Sequence, residues 1–263
     1  LDRELGDTEQ NLYGSYWRHN LARHQRVNQL LDHRPRPLTP NDMAAIIADR
    51  GQNGCCISEA IGMVMTVASV VFQPEDGRLW VGAGPRPTSH RRFLPLSLSD
   101  EAFLPDVDAL TGGIPGDEDL ALAHAAYREA YIAYVDRGDL EGARKDMERA
   151  AALAPEQPLF HCLVGLVTLK LGDAPRAMAA FSRALELGHH HPERVAAFNL
   201  WRGRAADLQG RRDDALRHYR HALGHHADRP VHAAARRGLR KPYDARRAGS
   251  FDIDFTFADV VNP

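Results

Sequence analysis

Three histidines, His218, His221 and His225, lie three and four residues apart, so that on a helix they would share one face. Imidazole nitrogens are common zinc ligands, and zinc requires three or four ligands that converge on one point. On a straight helix the first and the last of these residues would lie about 10 Å apart along the axis. A single ion would need further ligands folding over the helix, so the sequence does not favour a metal site.

The three cysteines do not form a recognisable redox or disulfide pattern. Cys55 and Cys56 are adjacent rather than spaced as C-x-x-C, and Cys162 is distant from both. Three cysteines are too few for a disulfide framework, which favours a reducing cytoplasmic location. No phosphate-binding loop, dinucleotide fingerprint or serine nucleophile motif is present, so we expect no cofactor.

Composition is typical of a folded globular protein. Of the 263 residues, 44% are hydrophobic and 26% are charged, with a net charge of −2. No apolar run has the length of a membrane-spanning helix. Residues 188–247 contain 14 basic and 6 acidic side chains, which could attract an acidic partner or be neutralised within the molecule. Basic and aromatic residues do not alternate there, so nucleic-acid binding is not favoured.

A β-hairpin is predicted between Met63 and Pro87. A β-branched apolar run ends at Phe72, the turn residues Pro74 to Gly77 follow, and a second run begins at Leu79. Two such runs on either side of a Pro/Asp/Gly cluster indicate antiparallel strands. Apolar residues occur on both faces of the first strand, so we expect it to be covered on both sides, as in a layered fold.

Two helices are predicted before this hairpin. Asp7 and Gln10 have capping-box spacing ahead of a long amphipathic stretch, and Thr39-Pro40 opens a second helix with proline in its first turn. The five short segments R-x-x-x-L-L, L-T-P-x-D, Cys-Ile, T-V-A-S-V-V-F-x-P and L-W-V-G-x-G-x-x-P follow in this order. Together they resemble the C-terminal half of the autoprocessing acyltransferase/amidohydrolase family, which are N-terminal-nucleophile (Ntn) hydrolases of the penicillin acyltransferase group. The resemblance covers residues 10 to 98.

The resemblance implies an enzyme whose catalytic cysteine lies outside this chain. In that family an exposed N-terminal cysteine is the nucleophile, whereas this sequence begins with Leu1. A missing N-terminal half or partner subunit would then carry the nucleophile, and this chain alone would be inactive. Cys56 matches a family cysteine, although the basic residue and the histidine that follow it there are absent here. Thr66 and Ser69 match strand hydroxyls that could contact substrate or an oxyanion; alternatively, they only bond main chain.

The second half of the sequence contains an internal repeat. Ala143, Met147 and Ala150 recur 34 residues later, and again after a further 38, and the turn glycines Gly138, Gly172 and Gly210 keep the same steps. This period, with small residues at fixed positions, is typical of tetratricopeptide (TPR) repeats. In such arrays the first helix of each unit lines a groove. Five polar residues are the groove candidates: Arg128, Asp136, Lys170, Arg204 and Asp207.

Two predictions remain open for what this groove binds. The candidates lack a recurring Lys/Arg/Asn set that would clamp a terminal carboxylate, which favours an internal segment or a neighbouring domain as the occupant. Binding of a partner peptide remains the alternative. Residues 251–257 alternate between apolar and polar, so they could form a strand packed on the protein's own groove or a strand donated to a partner's sheet.

The sequence therefore predicts an α+β domain, a partial Ntn-hydrolase-like layered sheet with helices, followed by an all-α TPR superhelix. The predicted boundaries are residues 1–104, a linker at 105–118, three TPR units with a capping helix at 119–240, and a C-terminal tail with a possible strand at 241–263. Two functions remain open. One is part of a cysteine Ntn hydrolase or acyltransferase that acts on amide or ester bonds, and the other is a non-catalytic TPR adaptor.

Overall fold

The computed structural model describes residues 14–51, 60–112, 118–256 and 258–260. The chain divides into two compact units, Leu1–Asp117 and Glu118–Pro263. The predicted capping pair Asp7 and Gln10, and the cysteine pair Cys55 and Cys56, lie outside the described residues.

The first unit begins with two helices, α1 (Gly14–Asp32) and α2 (Pro40–Ile47). The start of α2 is a capping box: the Thr39 hydroxyl accepts from the Asp42 amide, and the Asp42 carboxylate accepts from the Thr39 amide. These two contacts satisfy amides that a helix start leaves unpaired. The predicted opening of this helix at Thr39-Pro40 is therefore seen in the structure.

A four-stranded antiparallel sheet completes the first unit. Its strands are β1 (Val70–Gln73), β2 (Arg78–Ala83), β3 (Arg92–Ser97) and β4 (Leu110–Thr111), and they pair in chain order. A short 3-10 turn at Pro74–Asp76 joins β1 to β2, and Gly77 closes it with φ of 62°. The hairpin occurs where the sequence predicted it, but the first strand is four residues long and starts only at Val70.

The two faces of this sheet differ. One face packs against α2 around a buried cluster of Ala44, Val71, Trp80, Phe93 and Leu110. On the other face, cross-strand pairing aligns Phe72 with Leu79, Leu79 with Leu96 and Leu96 with Phe103. Phe72 and Phe103 are each 63% exposed. The expectation of a sheet covered on both sides is therefore not met within the described residues, and the Ntn-hydrolase layering is not confirmed.

Part of the predicted linker is a strand of this sheet. Leu110 in β4 pairs with Phe93 and is buried, and the Trp80 indole N–H donates to the Asp108 carbonyl oxygen at 3.1 Å. Glycine, proline and aspartate around these residues break the strand pattern in the sequence, which explains why a two-residue edge strand could not be read from it.

The second unit contains seven helices of twelve or more residues among its described residues. They are α3 (Glu118–Val135), α4 (Leu140–Leu153), α5 (Pro158–Lys170), α6 (Ala174–Leu187), α7 (Pro192–Leu208), α8 (Arg212–Gly224) and α9 (Arg229–Arg240). Each helix packs against the next one in the chain, so the helices form three successive hairpins followed by a final helix.

The repeat positions explain this packing. The predicted repeat residues are all completely buried: Ala143, Met147, Ala150, Ala177, Phe181, Ala184, Ala215, Tyr219 and Ala222. The three turn glycines have φ of 63°, 87° and 70°, a backbone conformation that glycine adopts without strain. At Gly165 an added Cβ would lie 2.5 Å from the Phe181 ring. Small residues therefore allow the paired helices to approach closely, as the repeat predicted.

The unit ends with a short helix and a small hairpin. Helix α10 (Ala245–Ala248) is followed by the strands β5 (Ile253–Asp254) and β6 (Asp259–Val260), which pair antiparallel. We call residues 249–256 and 258–260 the closing segment. None of the described helices is both long enough and apolar enough to cross a membrane.

Candidate functional site

The closing segment lies on the first helices of the three hairpins. Side chains from α3, α5 and α7 contact it, and we call the side of these helices that does so the inner surface. The first helix of each TPR unit was predicted to form the groove, and an internal segment was one of the two predicted occupants. The described structure places that segment there.

Main-chain groups of the closing segment receive most of the polar contacts. Lys170 donates from Nζ to the carbonyl oxygens of Gly249, at 3.1 Å, and of Phe251. The Ile253 amide donates to the Tyr134 hydroxyl at 3.1 Å, and the Tyr127 hydroxyl donates to the Phe255 carbonyl oxygen. These bonds need an extended backbone and depend little on the side chains that it carries.

A fourth polar anchor comes from α7. Arg194, which is almost completely buried, donates from a terminal guanidinium nitrogen to the Ala258 carbonyl oxygen at 3.0 Å. The same guanidinium lies 3.7 Å from the Asp259 carboxylate. Because this ion pair is largely withdrawn from water, its attraction is screened less than that of a surface pair. It holds the second strand of the small hairpin on the inner surface.

Alternate side chains of the closing segment enter an aromatic lining. Phe251 packs on Trp201 with ring centroids 4.5 Å apart, and the Lys170 ammonium lies 4.9 Å from the Phe251 centroid. Phe255 lies 5.0 Å from Tyr134, centroid to centroid. Ile253 between them is buried, whereas Asp252 is exposed and Asp254 is half-buried. The predicted alternation therefore separates a buried apolar row from an acidic one.

A positive charge on the inner surface, that of Lys170, lies near the acidic side chains of the closing segment. The ammonium of Lys170 is half-buried, which lowers its pKa, and the charge of Asp252 partly offsets this effect.

The Cys162 thiol on α5 is buried, and burial raises its pKa to about 12. At neutral pH this thiol is therefore protonated, so it does not supply a thiolate nucleophile.

The predicted groove candidates separate into two groups. Lys170 contacts the closing segment, as described above. Arg204 and Asp207 lie further along α7, where Arg204 contacts the Trp201 and Tyr243 rings and Asp207 pairs with Arg212. Arg128 is half-buried on α3, and Asp136 is exposed in the turn after that helix. The role of Arg204, Asp207, Arg128 and Asp136 in binding therefore stays a prediction.

The predicted substrate-pocket residues Ser69 and Thr66 form hydrogen bonds within their own unit. The buried Ser69 hydroxyl lies 3.1 Å from the Thr88 hydroxyl, and the Ser69 carbonyl oxygen accepts from the Gly82 amide at 2.8 Å. Thr66 accepts through its carbonyl oxygen from the Thr88 amide at 3.1 Å. These contacts fix the approach of two loops to the sheet. The third candidate, Cys56, lies outside the described residues.

The clustered histidines make protein contacts. His218 Nδ1 lies 3.0 Å from the Asn199 side-chain oxygen, and its ring lies 6.0 Å from that of His221. His232 Nε2 lies 2.9 Å from the carbonyl oxygen of His225. Within the part of the chain that the structure describes, no group of three or more His, Cys, Asp or Glu side chains is arranged to hold a metal ion.

Comparison with known families supports the predicted repeat in the helical unit. A family model described as tetratricopeptide repeat matches residues 132–192 and, in a second match, 165–230. The helices within residues 132–230 are TPR repeats. Among solved structures, the chain is similar to the N-terminal domain of stress-induced protein-1 (STI-1) from C. elegans, with 19% identity, a TM-score of 0.42, and coverage of 48% of this chain and 100% of that one. No curated protein matches the sequence.

The comparisons give the enzyme hypothesis no support. The TPR matches begin at residue 132, so they lie entirely within the second unit. The family match gives no evidence of an acyltransferase or hydrolase part, and the Ser69 hydroxyl that was matched to that family bonds locally. The adaptor alternative is therefore better supported than the enzyme that the resemblance implied.

Several residues that hold the closing segment were not candidates in the sequence. Tyr127 and Tyr134 lie seven residues apart on α3, and Arg194 and Trp201 lie seven apart on α7. A spacing of seven brings two side chains to the same helix face. Aromatic residues at this spacing on a first helix were the available signal, but helix spacing alone does not distinguish a binding face from a core face.

Proposed function

We propose that the helical unit is a protein-interaction adaptor whose inner surface binds an extended segment of a partner protein. The preferred segment has apolar side chains at alternate positions and acidic residues between them. The observation that supports this proposal is the closing segment, which has this chemistry and is bound through its backbone and its buried aromatic rings. TPR arrays generally use the surface of their first helices for recognition.

The closing segment would then compete with a partner for the inner surface. Because it belongs to the same chain, its effective concentration is high, in the millimolar range for a short connection. A partner segment would bind only when the closing segment leaves, so the intact chain should bind such segments weakly.

A competition experiment tests the proposal. A fluorescent peptide with the sequence of residues 249–260, GSFDIDFTFADV, is titrated with the intact chain and with the Phe251→Ala/Phe255→Ala variant. We expect the variant to bind the peptide at least about tenfold more tightly, because its own segment has lost two aromatic anchors. A double variant at Phe72 and Phe103, which are exposed in the first unit, is the matched control and should behave like the intact chain.

Peptide chemistry provides the second arm of this experiment. A peptide with lysine in place of Asp252 and Asp254 should bind the Phe251→Ala/Phe255→Ala variant several-fold more weakly than the original peptide does. The reason is that the Lys170 ammonium, which lies near Asp252, would repel the added lysines. Absence of saturable binding of the original peptide to the Phe251→Ala/Phe255→Ala variant would contradict the proposal. Equal affinity for both peptides would contradict the proposed acidic preference.

A second candidate function is favoured by one observation in the first unit. A further layer could cover the sheet along one cross-strand row, in which Phe72 and Phe103 are exposed and Leu79 and Leu96 are half-buried. A separate subunit that carries the nucleophile of an acyl-transferring enzyme would provide such a layer. Co-expression with the polypeptide encoded next to this chain, followed by an acylating thiol probe, tests this candidate. A labelled N-terminal cysteine in that polypeptide supports it, and an unlabelled complex contradicts it.

A further inference from the structure

A small pocket between α7, α9 and the stretch that follows α9 is surrounded by positive charge. Arg204 lines its buried part, and Arg237, Lys241 and Arg247 are exposed at its rim. The other lining residues are two tyrosines, one alanine and one glycine. Four cations and no acidic side chain therefore line this pocket.

Arg204 carries a buried charge without a carboxylate partner. The residue is 4% exposed, and its guanidinium lies 4.3 Å from the centroid of the Trp201 ring and 4.6 Å from that of Tyr243. Over the described ranges, residues 14–51, 60–112, 118–256 and 258–260, no carboxylate forms a salt bridge with it. Aromatic faces attract a guanidinium, but they offset less of its desolvation than a carboxylate would.

The acidic side chain closest in sequence, Asp207, is already paired. Its carboxylate is completely buried and accepts from Arg212 at 2.9 Å, from the Tyr219 hydroxyl at 2.7 Å and from the Tyr243 amide at 2.8 Å. Both oxygens of this carboxylate therefore accept hydrogen bonds, and its ion pair is with Arg212. Asp207 therefore neutralises Arg212, and the charge of Arg204 remains for a ligand.

The carboxyl end of α9 would normally disfavour an anion at this place, because its free carbonyl oxygens carry partial negative charge. Arg212 offsets that charge by donating to the carbonyl oxygens of Gly238 at 2.7 Å and Leu239 at 3.0 Å. Burial, together with the neighbouring charges of Arg247 and Arg237, lowers the pKa of Arg204 to about 10, so the guanidinium still keeps its proton at neutral pH.

We propose that the mouth of this pocket binds a phosphate group. The enclosed space is only about 10 Å³, so the anion would lie at the rim, where Arg237, Lys241 and Arg247 approach it, and Arg204 would attract it from the buried side. A compact dianion matches several converging cations better than a single carboxylate does, and the fork of an arginine suits phosphate oxygens. The group could be inorganic phosphate or a phosphate ester on a partner, since both present the same oxygens.

Thermal unfolding of the full chain tests this site. Tm is measured in about 10 mM sodium phosphate and in sodium chloride of equal ionic strength. For a dissociation constant of about 1 mM, phosphate binding raises the folded-to-unfolded ratio roughly elevenfold, which corresponds to a rise in Tm of about 3 °C. Arg237→Gln should lose most of this rise. Arg236→Gln, an exposed neighbour on the same helix that does not line the pocket, should keep it.

A second variant separates binding from folding. Arg204→Met removes the buried charge, so its Tm in chloride should be equal to or higher than that of the unmodified chain, and phosphate should no longer raise it. The same series with phosphoserine distinguishes an ester on a partner from the free anion, because only a site open to esters responds to phosphoserine. A phosphate effect that is the same in Arg237→Gln and Arg236→Gln, or no effect in the unmodified chain, would overturn the proposal.

Discussion

Each unit contains a row of apolar side chains on extended backbone, and the two rows differ in what covers them. In the first unit Phe72 and Phe103 are on a sheet face and are each 63% exposed. In the second unit Phe255 is 1% exposed, because tyrosines of α3 surround it. The comparison teaches that alternation in a sequence predicts an extended segment but does not show whether the same chain supplies the surface that buries it.

The largest expected effect on stability comes from removing a buried ring from the core of either unit. Phe181→Ala removes a completely buried ring from the helical unit and should lower its free energy of unfolding by about 3–5 kcal/mol. Phe93→Ala should have an effect of similar size in the first unit, where that ring is also completely buried. Hydrogen exchange followed by mass spectrometry measures each unit separately.

If each compact unit unfolds on its own, Phe181→Ala accelerates exchange in residues 118–260 and leaves residues 60–112 unchanged. Equal acceleration in both ranges would show that the two units unfold together, and the comparison between them would then fail as a comparison of separate structures.

The second prediction tests the close approach that the repeat depends on. Gly165→Ala places a Cβ against the ring of Phe181, which is itself completely buried, so the substitution should cost about 1–3 kcal/mol of unfolding free energy. Gly224→Ala is the matched control, because nothing lies within 4 Å of a Cβ added at that helical glycine. Chemical denaturation of the two variants checks this difference; equal midpoints would contradict it.

The third prediction concerns acid sensitivity of the helical unit. Burial, followed by the charge of Arg202, lowers the pKa of His218 to about 4 from its ordinary value near 6.5. The unfolded chain therefore binds the proton more readily than the folded one does between these pH values. Stability should fall as the pH is lowered from 6.5 to 4, by roughly 1 kcal/mol per pH unit within this window.

Replacing His218 with glutamine should remove this part of the pH dependence, whereas His226→Gln, at an exposed position, should leave it. The denaturation midpoint at pH 7, 6, 5 and 4 measures the slope for each variant. A slope that is equal in the two variants would show that other groups cause the acid sensitivity.

The smallest effect is expected on the exposed face of the sheet. Phe72→Ser should change the free energy of unfolding of the first unit by less than about 0.5 kcal/mol, because its ring is mostly in contact with water. Denaturation of the isolated chain provides the measurement. A loss of about 2 kcal/mol or more in this free energy is what burial of a whole aromatic side chain would give. It would mean that the face carrying Phe72 is covered, as the row of Phe255 is in the second unit.

The sequence predicted local features of both units and few of the contacts between distant residues. The small residues of the repeat, the turn glycines and the Thr39 cap are seen as predicted, because each depends on neighbours along the chain. Strand β4 and the bonds of Tyr127 and Tyr134 to the closing segment were not predicted, since they join residues up to 128 positions apart.

The first unit also shows what a resemblance of short motifs leaves unconfirmed. The matched segments do correspond to a helix start and a hairpin, so they describe common local structure. The resemblance related the hydroxyls of Thr66 and Ser69 to a substrate pocket. In the structure the Ser69 hydroxyl and the Thr66 carbonyl oxygen take part in contacts that any such hairpin can make. The layering and the chemistry of an enzyme depend on residues that these motifs do not include.

Amide hydrogen exchange of the closing segment tests the central claim most directly. In the intact chain we expect the Ile253 amide, which donates to the Tyr134 hydroxyl, to exchange at least about a hundredfold more slowly than in the free peptide of residues 249–260. In an Arg194→Met/Lys170→Met variant this protection should be lost while α5 and α7 remain protected. Exchange of the closing segment at the rate of the free peptide in the intact chain would contradict the account, because the inner surface would then be empty.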